Sequence, residues 1–294
     1  MGPAAEAAAL VALVRLGRRP DRAYAELVER GGSALATLED ELAHRGAQAS
    51  LLPEDPQPLL DVAAADIAGW EARGYGLVTV LDAAYPRNLR EVHDHPPLLF
   101  VAGRIRDADH RSVAVIGSRR ASEVGLAAAA ELAGALAAAG WVVVSGLASG
   151  IDTAAHTTVL GAGGRTVAVI GTGLARCYPQ ENAGLQTQIA REGAVVSQFW
   201  PESPPSRHSF PLRNGVMSGL TRGTVVVEAS ERSGARVQAR LALGHGRPVF
   251  LMRAVLENGW ARELAERPGV HVVNHARQIT DTIERLDATD ALVE

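Results

Sequence analysis

The chain contains one cysteine, Cys177, and no lysine. A single thiol closes no intrachain disulfide and supplies no cysteine metal cluster, which fits a reducing, cytoplasmic setting. Without lysine there is neither a Walker-type phosphate loop nor a Schiff-base amine. All 29 basic residues are arginine, so any cationic side chain that meets a phosphate does so as a planar guanidinium fork. No apolar run reaches 18 residues, so no membrane span is expected. The alanine-rich start has neither a basic region ahead of it nor a cleavage site, so nothing marks a secretory signal. G-x-S-x-G, H-E-x-x-H, paired cysteines and Walker A are all missing. No constellation demands an enzyme, and neither a metal nor a cofactor is expected.

With 294 residues, 47% of them hydrophobic, the chain can bury one sizeable core and a smaller appended unit. The formal charge of −4 is unevenly spread. Residues 1–100 carry 9 Arg against 15 Asp and Glu, and residues 254–294 carry 4 against 8. Residues 101–253 carry 16 against 10, so the positive charge sits centrally, as a localised anion-binding face requires. Scattered, solvated arginines are the alternative reading.

Helical spacing of Ala and Leu in Ala4–Leu16, Tyr24–Arg30 and Leu35–His44 predicts short helices. The stretch Pro53–Pro58 is a break, and another helix follows to about Arg73. Residues 1–74 thus read as a small helical N-terminal domain. A lead-in over 75–111 holds a strand at Leu77–Val80 and an apolar run at Leu98–Ala102. From residue 112 short β-branched runs alternate with helical stretches. The expected strands are Val113–Ile116, Trp141–Val144, Thr166–Ile170, Ala194–Val196, Thr224–Val227 and Pro248–Met252. Runs of this kind suit strands buried on both faces, and the alternation implies right-handed βαβ units. The fold class is α/β: a Rossmann-like, doubly wound, mostly parallel sheet with its core over 112–255. Residues 256–294 add a strand–helix extension, which either finishes the sheet or packs elsewhere.

Ligands of open α/β sheets bind beyond the strands' carboxyl ends, so the strand-to-helix turns are the places to look. The first offers Gly117, Ser118, Arg119, Arg120 and Ser122: a glycine turn, two hydroxyls and two guanidiniums for a phosphate, or else a serine cap with solvated arginines. The second, Ser145 to Asp152, places Gly146, Ser149 and Gly150 where backbone amides can cradle an anion. Asp152 and His156 share a helical face, either as an acid–base pair or as a cap and a buried anchor. The third begins Gly171-Thr-Gly173 but has Arg176 in place of the last glycine, and Gln198 stands where an acidic residue is expected. That counts against a dinucleotide site of the dehydrogenase type. The fourth brings Phe210, Arg213 and Asn214 to a helix start, with Tyr178 and Trp200 in nearby turns. These aromatics either stack on bases or plug the sheet edge. The fifth carries Glu228 at a strand end, then Ser233 and Gly234.

Together these turns resemble the DNA-processing protein A (DprA/Smf) family. The similarity lies in Val113-Ala-Val-Ile-Gly-Ser-Arg119, Val144-Ser-Gly-Leu-Ala-Ser-Gly-Ile-Asp152 with His156, Tyr178-Pro179 with Asn182, Phe210-Pro-Leu-Arg-Asn214, and Val225-Val-Val-Glu-Ala229 with Ser233-Gly234. Tyr85-Pro86 with Leu89, and Pro96-Pro97-Leu98-Leu99-Phe100, extend it upstream. The resemblance implies a non-enzymatic binder of single-stranded DNA that loads a RecA-type recombinase, chiefly in natural transformation. It also implies a homodimer formed through the sheet-end surface. The winged-helix module at the C-terminus of many members is not expected here. By position, Arg119 and Arg213 contact phosphates, Ser118, Gly146, Ser149 and Gly150 line the pocket, and Phe210 lies near a base.

Departures from the family pattern are Gly215 for a second arginine, Gln198 for glutamate, Ala175 for aspartate, Arg236 and Gln238 for an apolar residue and a threonine, and Met252-Arg253 for a Pro-Gly turn. The expectation is a retained fold with a retuned ligand face, in which Arg236 restores the charge absent at Gly215. Two other functions remain open: a nucleotide sensor, and a phosphoribohydrolase-like enzyme. Glu228-Ala-Ser-Glu-Arg-Ser-Gly234 does not reproduce the P-G-G-x-G-T-x-x-E signature of the latter.

Overall fold

In a computed structural model, residues 2–43 and 55–290 are described. His44, Pro53 and Glu54, part of the expected helix and break, lie outside them. Four helices come first: α1 (Pro3–Leu16), α2 (Asp21–Gly31), α3 (Ala34–Ala43) and α4 (Gln57–Ala72). Strand β1 (Tyr75–Thr79), the short helix α5 (Arg87–Arg90) and β2 (Leu98–Gly103) form the lead-in. The core then alternates through β3 (Ser112–Ile116), α6 (Glu123–Ala138), β4 (Val142–Ser145), α7 (Ile151–Gly161) and β5 (Thr166–Val169). It continues with α8 (Ala183–Glu192), β6 (Ala194–Ser197), α9 (Ser209–Leu220), β7 (Thr224–Val226), α10 (Ala235–Gly244) and β8 (Val249–Met252). Helix α11 (Gly259–Ala265), β9 (Val270–Val273) and α12 (Ala276–Asp290) complete the described chain.

One nine-stranded sheet runs in the order β1-β2-β6-β5-β4-β3-β7-β8-β9. Every pair from β6 to β9 is parallel, whereas β2 is antiparallel to both β1 and β6. The lead-in strands therefore extend the sheet at one end. At the other, β9 of the C-terminal extension pairs with β8 and finishes the sheet rather than packing elsewhere.

Strands β3 to β7 are buried along their whole length. Side chains alternate faces with a period of two, so both registers of each run must be apolar. In β3, Val113 and Val115 pack with Ala129 and Ala133 of α6, Ile151 of α7 and Ile279 of α12. Ala114 and Ile116 face the other way, into a cluster with Met217 of α9, Ala239 of α10 and Trp260 of α11. The N-terminal helices pack around the β1–β2 end. Helix α1 serves both faces, with Val11 in a cluster beside Phe100 and Leu13 in the one that holds Leu99. Among the described residues no helix is long and apolar enough to cross a membrane.

Chain direction fixes where a ligand can sit. From β3 the chain steps to β4, β5 and β6 on one side, then crosses back to β7 on the other. The switch point of the doubly wound sheet is therefore the crevice between β3 and β7, at their carboxyl ends.

Candidate functional site

A cleft of about 670 Å³ occupies that crevice. Its walls come from the loop after β3, the start of α7, the first half of α9, the loop after β7 and the start of α10. Of the residues picked out from sequence, Gly117, Ser118, Arg119, Arg120, Asp152, Phe210, Arg213, Asn214, Ser233 and Gly234 line it. Ser122, Gly146, Ser149, Gly150, His156 and Glu228 lie outside the lining, in the loops and helix that support it, and Tyr178 lies outside it beside the Phe210 ring. Arg232, Ser230, Met217, Val237 and Gln238 also line the cleft, with Ile116, Ala148, Pro211 and Ala235. Gln238 stood out only as a departure from the family pattern. Arg232, inside the fifth turn, was legible as an arginine but not as a wall residue.

The floor is built on Arg213. Its guanidinium is buried, 6% exposed, and Nη1 donates to the carbonyls of Gly146 (2.5 Å) and Val169 (2.7 Å). Gly146 is glycine because the guanidinium lies against its Cα: a Cβ there would meet Nη1 at 2.1 Å. Asp152 supplies the opposite charge. Its Oδ2 accepts from the amides of Gly146 (3.1 Å) and Ala148 (3.3 Å). Burial pushes its carboxyl above the usual carboxylate range, while Arg213 pulls the other way. Arg213 itself is lowered by burial, with Asp152 opposing the shift. Arg213 thus tethers α9 to the loop after β4 through the Gly146 carbonyl, with Asp152 as a nearby opposite charge rather than a contacting partner.

His156 belongs to the same framework. Its Nδ1 lies 2.7 Å from Thr166 Oγ1, whose own proton goes to Val143 O. Nδ1 therefore carries the ring proton and donates. Burial pushes the imidazole down to about 3, so it is neutral at physiological pH. His156 is fully buried and absent from the cleft lining; Asp152 and His156 each bond into the scaffold rather than to each other.

The β3 loop is locked from two sides. Glu228 accepts from Ser122 through the backbone amide (3.1 Å) and Oγ (2.5 Å), and Ser122 Oγ in turn caps α6 by accepting from Gly125. That helix start is satisfied within the chain. Ser118 N donates to Glu228 O, and Ser118 O accepts from Ile151 N. Gly150 sits at φ +81°, and a Cβ there would meet Ser118 O at 2.3 Å, so two loops meet closely only because both its side and its backbone are free. Ser149 Oγ donates to Glu181 (2.7 Å), and Asn182 Nδ2 holds the carbonyl of Leu147, a residue in the left-handed region at φ +58°.

What this scaffold leaves free is cationic and aromatic. Arg119, Arg120 and Arg232 are exposed and pair with no carboxylate among the described residues. The Arg119 guanidinium lies 5.0 Å from the centroid of Phe210, which in turn lies 5.6 Å from the half-exposed Tyr178 ring. An anion meets three unpaired guanidiniums here, with a π-surface beside them.

Three expectations meet different outcomes. Gln198 and Gly171–Arg176 do not line the cleft, so the broken glycine fingerprint contributes nothing to it. Arg236 is also absent from the lining, and charge restoration at Gly215 from that residue is not what the fold does: α10 turns Val237 and Gln238 toward the cleft instead. Gly215, on the same helix as Arg213, faces Asp94 rather than the cleft; a Cβ there would lie 3.9 Å from the Asp94 Oδ2.

A second cavity of about 270 Å³ lies under the lead-in, floored by Val144, Val167 and Val196 on the face that carries α9. It is away from the switch point.

Residues 76–284 match the family described as DNA recombination-mediator protein A. The chain is 41% identical over 181 residues to "DNA processing protein DprA" of Streptococcus pneumoniae, a match that covers 62% of this chain and 64% of that protein. Across the curated relatives the matched part is 44% to 66% of their length. The X-ray structure of DNA processing protein A from S. pneumoniae superposes with a TM-score of 0.69 at 32% identity, covering 88% of this chain and 90% of that one. DNA processing protein A from Helicobacter pylori, whose structure was described for its single-stranded DNA binding mode, superposes with a TM-score of 0.63 at 27% identity, covering 72% and 96%.

Proposed function

We propose that this chain, which belongs to the DNA recombination-mediator protein A family, binds single-stranded DNA in the β3/β7 cleft as a non-catalytic step in DNA processing and recombination. One observation carries the reading: Arg119, Arg120 and Arg232 rim an open cleft without carboxylate partners among the described residues, and Phe210 supplies a ring at its wall. Phosphates meet the guanidiniums and a base stacks on Phe210, a mode that tolerates any sequence because every base has a π-face. Arg213 acts from beneath, by shaping the floor. Asp152, His156 and Glu228 act by holding loops. The H. pylori relative, described as binding single-stranded DNA, supports the ligand class. The proposal extends to loading of a RecA-type recombinase, to a homodimer and to a cytoplasmic setting, which rest on the family rather than on the cleft.

The test is fluorescence anisotropy of a labelled oligo(dT) of about 30 nucleotides over a range of salt, beside a mononucleotide control. Affinity is expected to fall linearly in log salt, by about 0.7 per phosphate neutralised on a single strand. Arg119→Ala, Arg120→Ala and Arg232→Ala each flatten that slope by about one such unit. An oligonucleotide that does not bind while the mononucleotide does overturns the proposal in favour of a nucleotide sensor.

A further inference from the structure

A group unrelated to the cleft's own chemistry lies behind it. His245 follows the last turn of α10, Ser218 and Gly215 belong to α9, and His93 and Asp94 lie between α5 and β2. The ligating atoms of His93, Asp94 and His245 all fall within 4.8 Å of one another. No spacing in the sequence links positions 93, 94 and 245, which only the fold brings together.

The protons of this cluster can be placed. Ser218 Oγ donates to Gly215 O at 3.0 Å, which leaves the oxygen as an acceptor for His245 Nδ1 at 2.8 Å. His245 therefore carries a proton on Nδ1, which leaves Nε2 free to hold either a second proton or a cation beside Asp94. That Nε2 is buried and makes no hydrogen bond. Asp94 Oδ1 approaches it to 2.8 Å. With a neutral ring two lone pairs face each other across 2.8 Å, the imidazole side closed to water; with a second ring proton the contact is an ion pair, in which a hydrogen bond from His245 holds Asp94 below the usual carboxylate range. That contact is repulsive unless positive charge lies between them. A metal-bound histidine usually donates its far ring N–H to an acceptor that fixes the tautomer, and Ser218 Oγ takes that place here. His93, exposed beside them with its ring centroid 5.6 Å from that of His245, brings a second imidazole from the solvent side. Gly215 keeps the approach to Asp94 clear of any side chain.

We infer that His93, Asp94 and His245 bind one first-row divalent cation of the zinc class, with Ser218 fixing the His245 tautomer. Two imidazoles and one carboxylate suit zinc or its borderline neighbours and disfavour magnesium and calcium, which take oxygen ligands. With His93 at the surface, a water completes the sphere. The cation ties the end of α10 to the lead-in, and α9 joins them through the Ser218 hydrogen bond to His245, so the helices that carry Phe210–Asn214 and Ala235–Gln238 to the cleft are braced together. It acts as a brace, independent of what the cleft binds.

The untagged full chain with Cys177→Ser, which removes the only thiol, is stripped with chelator and titrated with zinc against a chromophoric chelator, with metal content read by mass spectrometry. One zinc per chain is expected, with a rise of several degrees in Tm on loading. His93 is exposed, so His93→Ala folds, and affinity falls at least about tenfold; Ser218→Ala costs about 10–100-fold. No stoichiometric zinc at micromolar concentration overturns the inference and leaves a proton shared by Asp94 and His245 in its place. Zinc binding unchanged by His93→Ala, or equal binding of magnesium, overturns the ligand set.

Discussion

Replacing Arg213 by methionine removes a charge from the middle of the cleft's scaffold while keeping most of its volume. The guanidinium is 6% exposed, holds the carbonyls of Gly146 and Val169, and opposes the burial that raises the Asp152 carboxyl. Without it, two buried carbonyls lose a donor and Asp152, itself 5% exposed, becomes an uncompensated buried anion. Leaving a buried charge uncompensated costs, at the upper end set by contacting buried pairs, about 3–5 kcal/mol. For a chain of this size that is a fall in Tm of roughly 6–15 °C. The pH dependence identifies the cause. Loss of Arg213 moves the Asp152 carboxyl further above its unfolded value of about 3.9, so the folded state holds the proton more tightly than the unfolded one. The contribution from a raised group is fully present below the unfolded pKa and is lost as pH rises through the folded one. The deficit of the variant is therefore largest at neutral pH and shrinks as the pH falls toward 4. The assay is urea unfolding of wild type, Arg213→Met, Asp152→Asn and the double variant at pH 7 and pH 4.5. The double variant should recover about 1–3 kcal/mol relative to additivity. A deficit that is the same at both pH values, with no recovery in the double variant, refutes the buried-charge argument and leaves only lost packing.

Phe210→Ala should weaken oligo(dT) binding by about 1–3 kcal/mol in anisotropy, the range for one stacked base, and leave the salt slope unchanged because no phosphate contact is lost. Gly146→Ala should destabilise by about 1–3 kcal/mol in thermal unfolding, since its methyl group displaces the Arg213 guanidinium; a neutral result means the floor can yield. His156 is depressed to about 3 by burial, so its neutral form contributes stability that is present above the unfolded value of about 6.5 and is lost as pH falls toward 3. Between those limits the stability of His156→Gln should fall less steeply than that of wild type in denaturant titrations; parallel curves would mean the ring takes up its proton without cost.

Where burial and local chemistry coincide, the sequence was easy to read. The strands of the core are runs such as Val113–Ile116, apolar in both registers because helices cover both faces, and β-branching marks them. Caps and turns were equally local: Ser122 sits one turn before Gly125, and Gly117 and Gly150 punctuate two loops. Partnership across the fold was not legible. Nothing in Glu228 announces that it holds the capping serine of a helix 106 residues earlier, and nothing in Arg213 says that its charge is turned inward while Arg119 and Arg120 keep theirs in solvent. Arg236 shows the same limit at shorter range. One step along α10 separates a residue that lines the cleft from one that does not, and an arginine's place on a helix face depends on how that helix docks. Pairing of β2 with β6 was hidden for a related reason, since antiparallel insertion beside a parallel sheet leaves no periodic mark.

The sheet order also sets a sequence of events for a chain made from its N-terminus. Strands β1 and β2 can pair once residue 103 has been synthesised, but the other edge of β2 waits for Ala194–Ser197. Strand β3 gains β4 early and receives β7 only after β5 and β6 are complete. Such long-range pairings are the slow part of building a sheet, and an edge that waits is an edge that can mispair. Because the crevice lies between β3 and β7, a nascent chain that has already laid down two thirds of its residues still has only one wall of it. The cleft is closed late, by the same crossover that creates it.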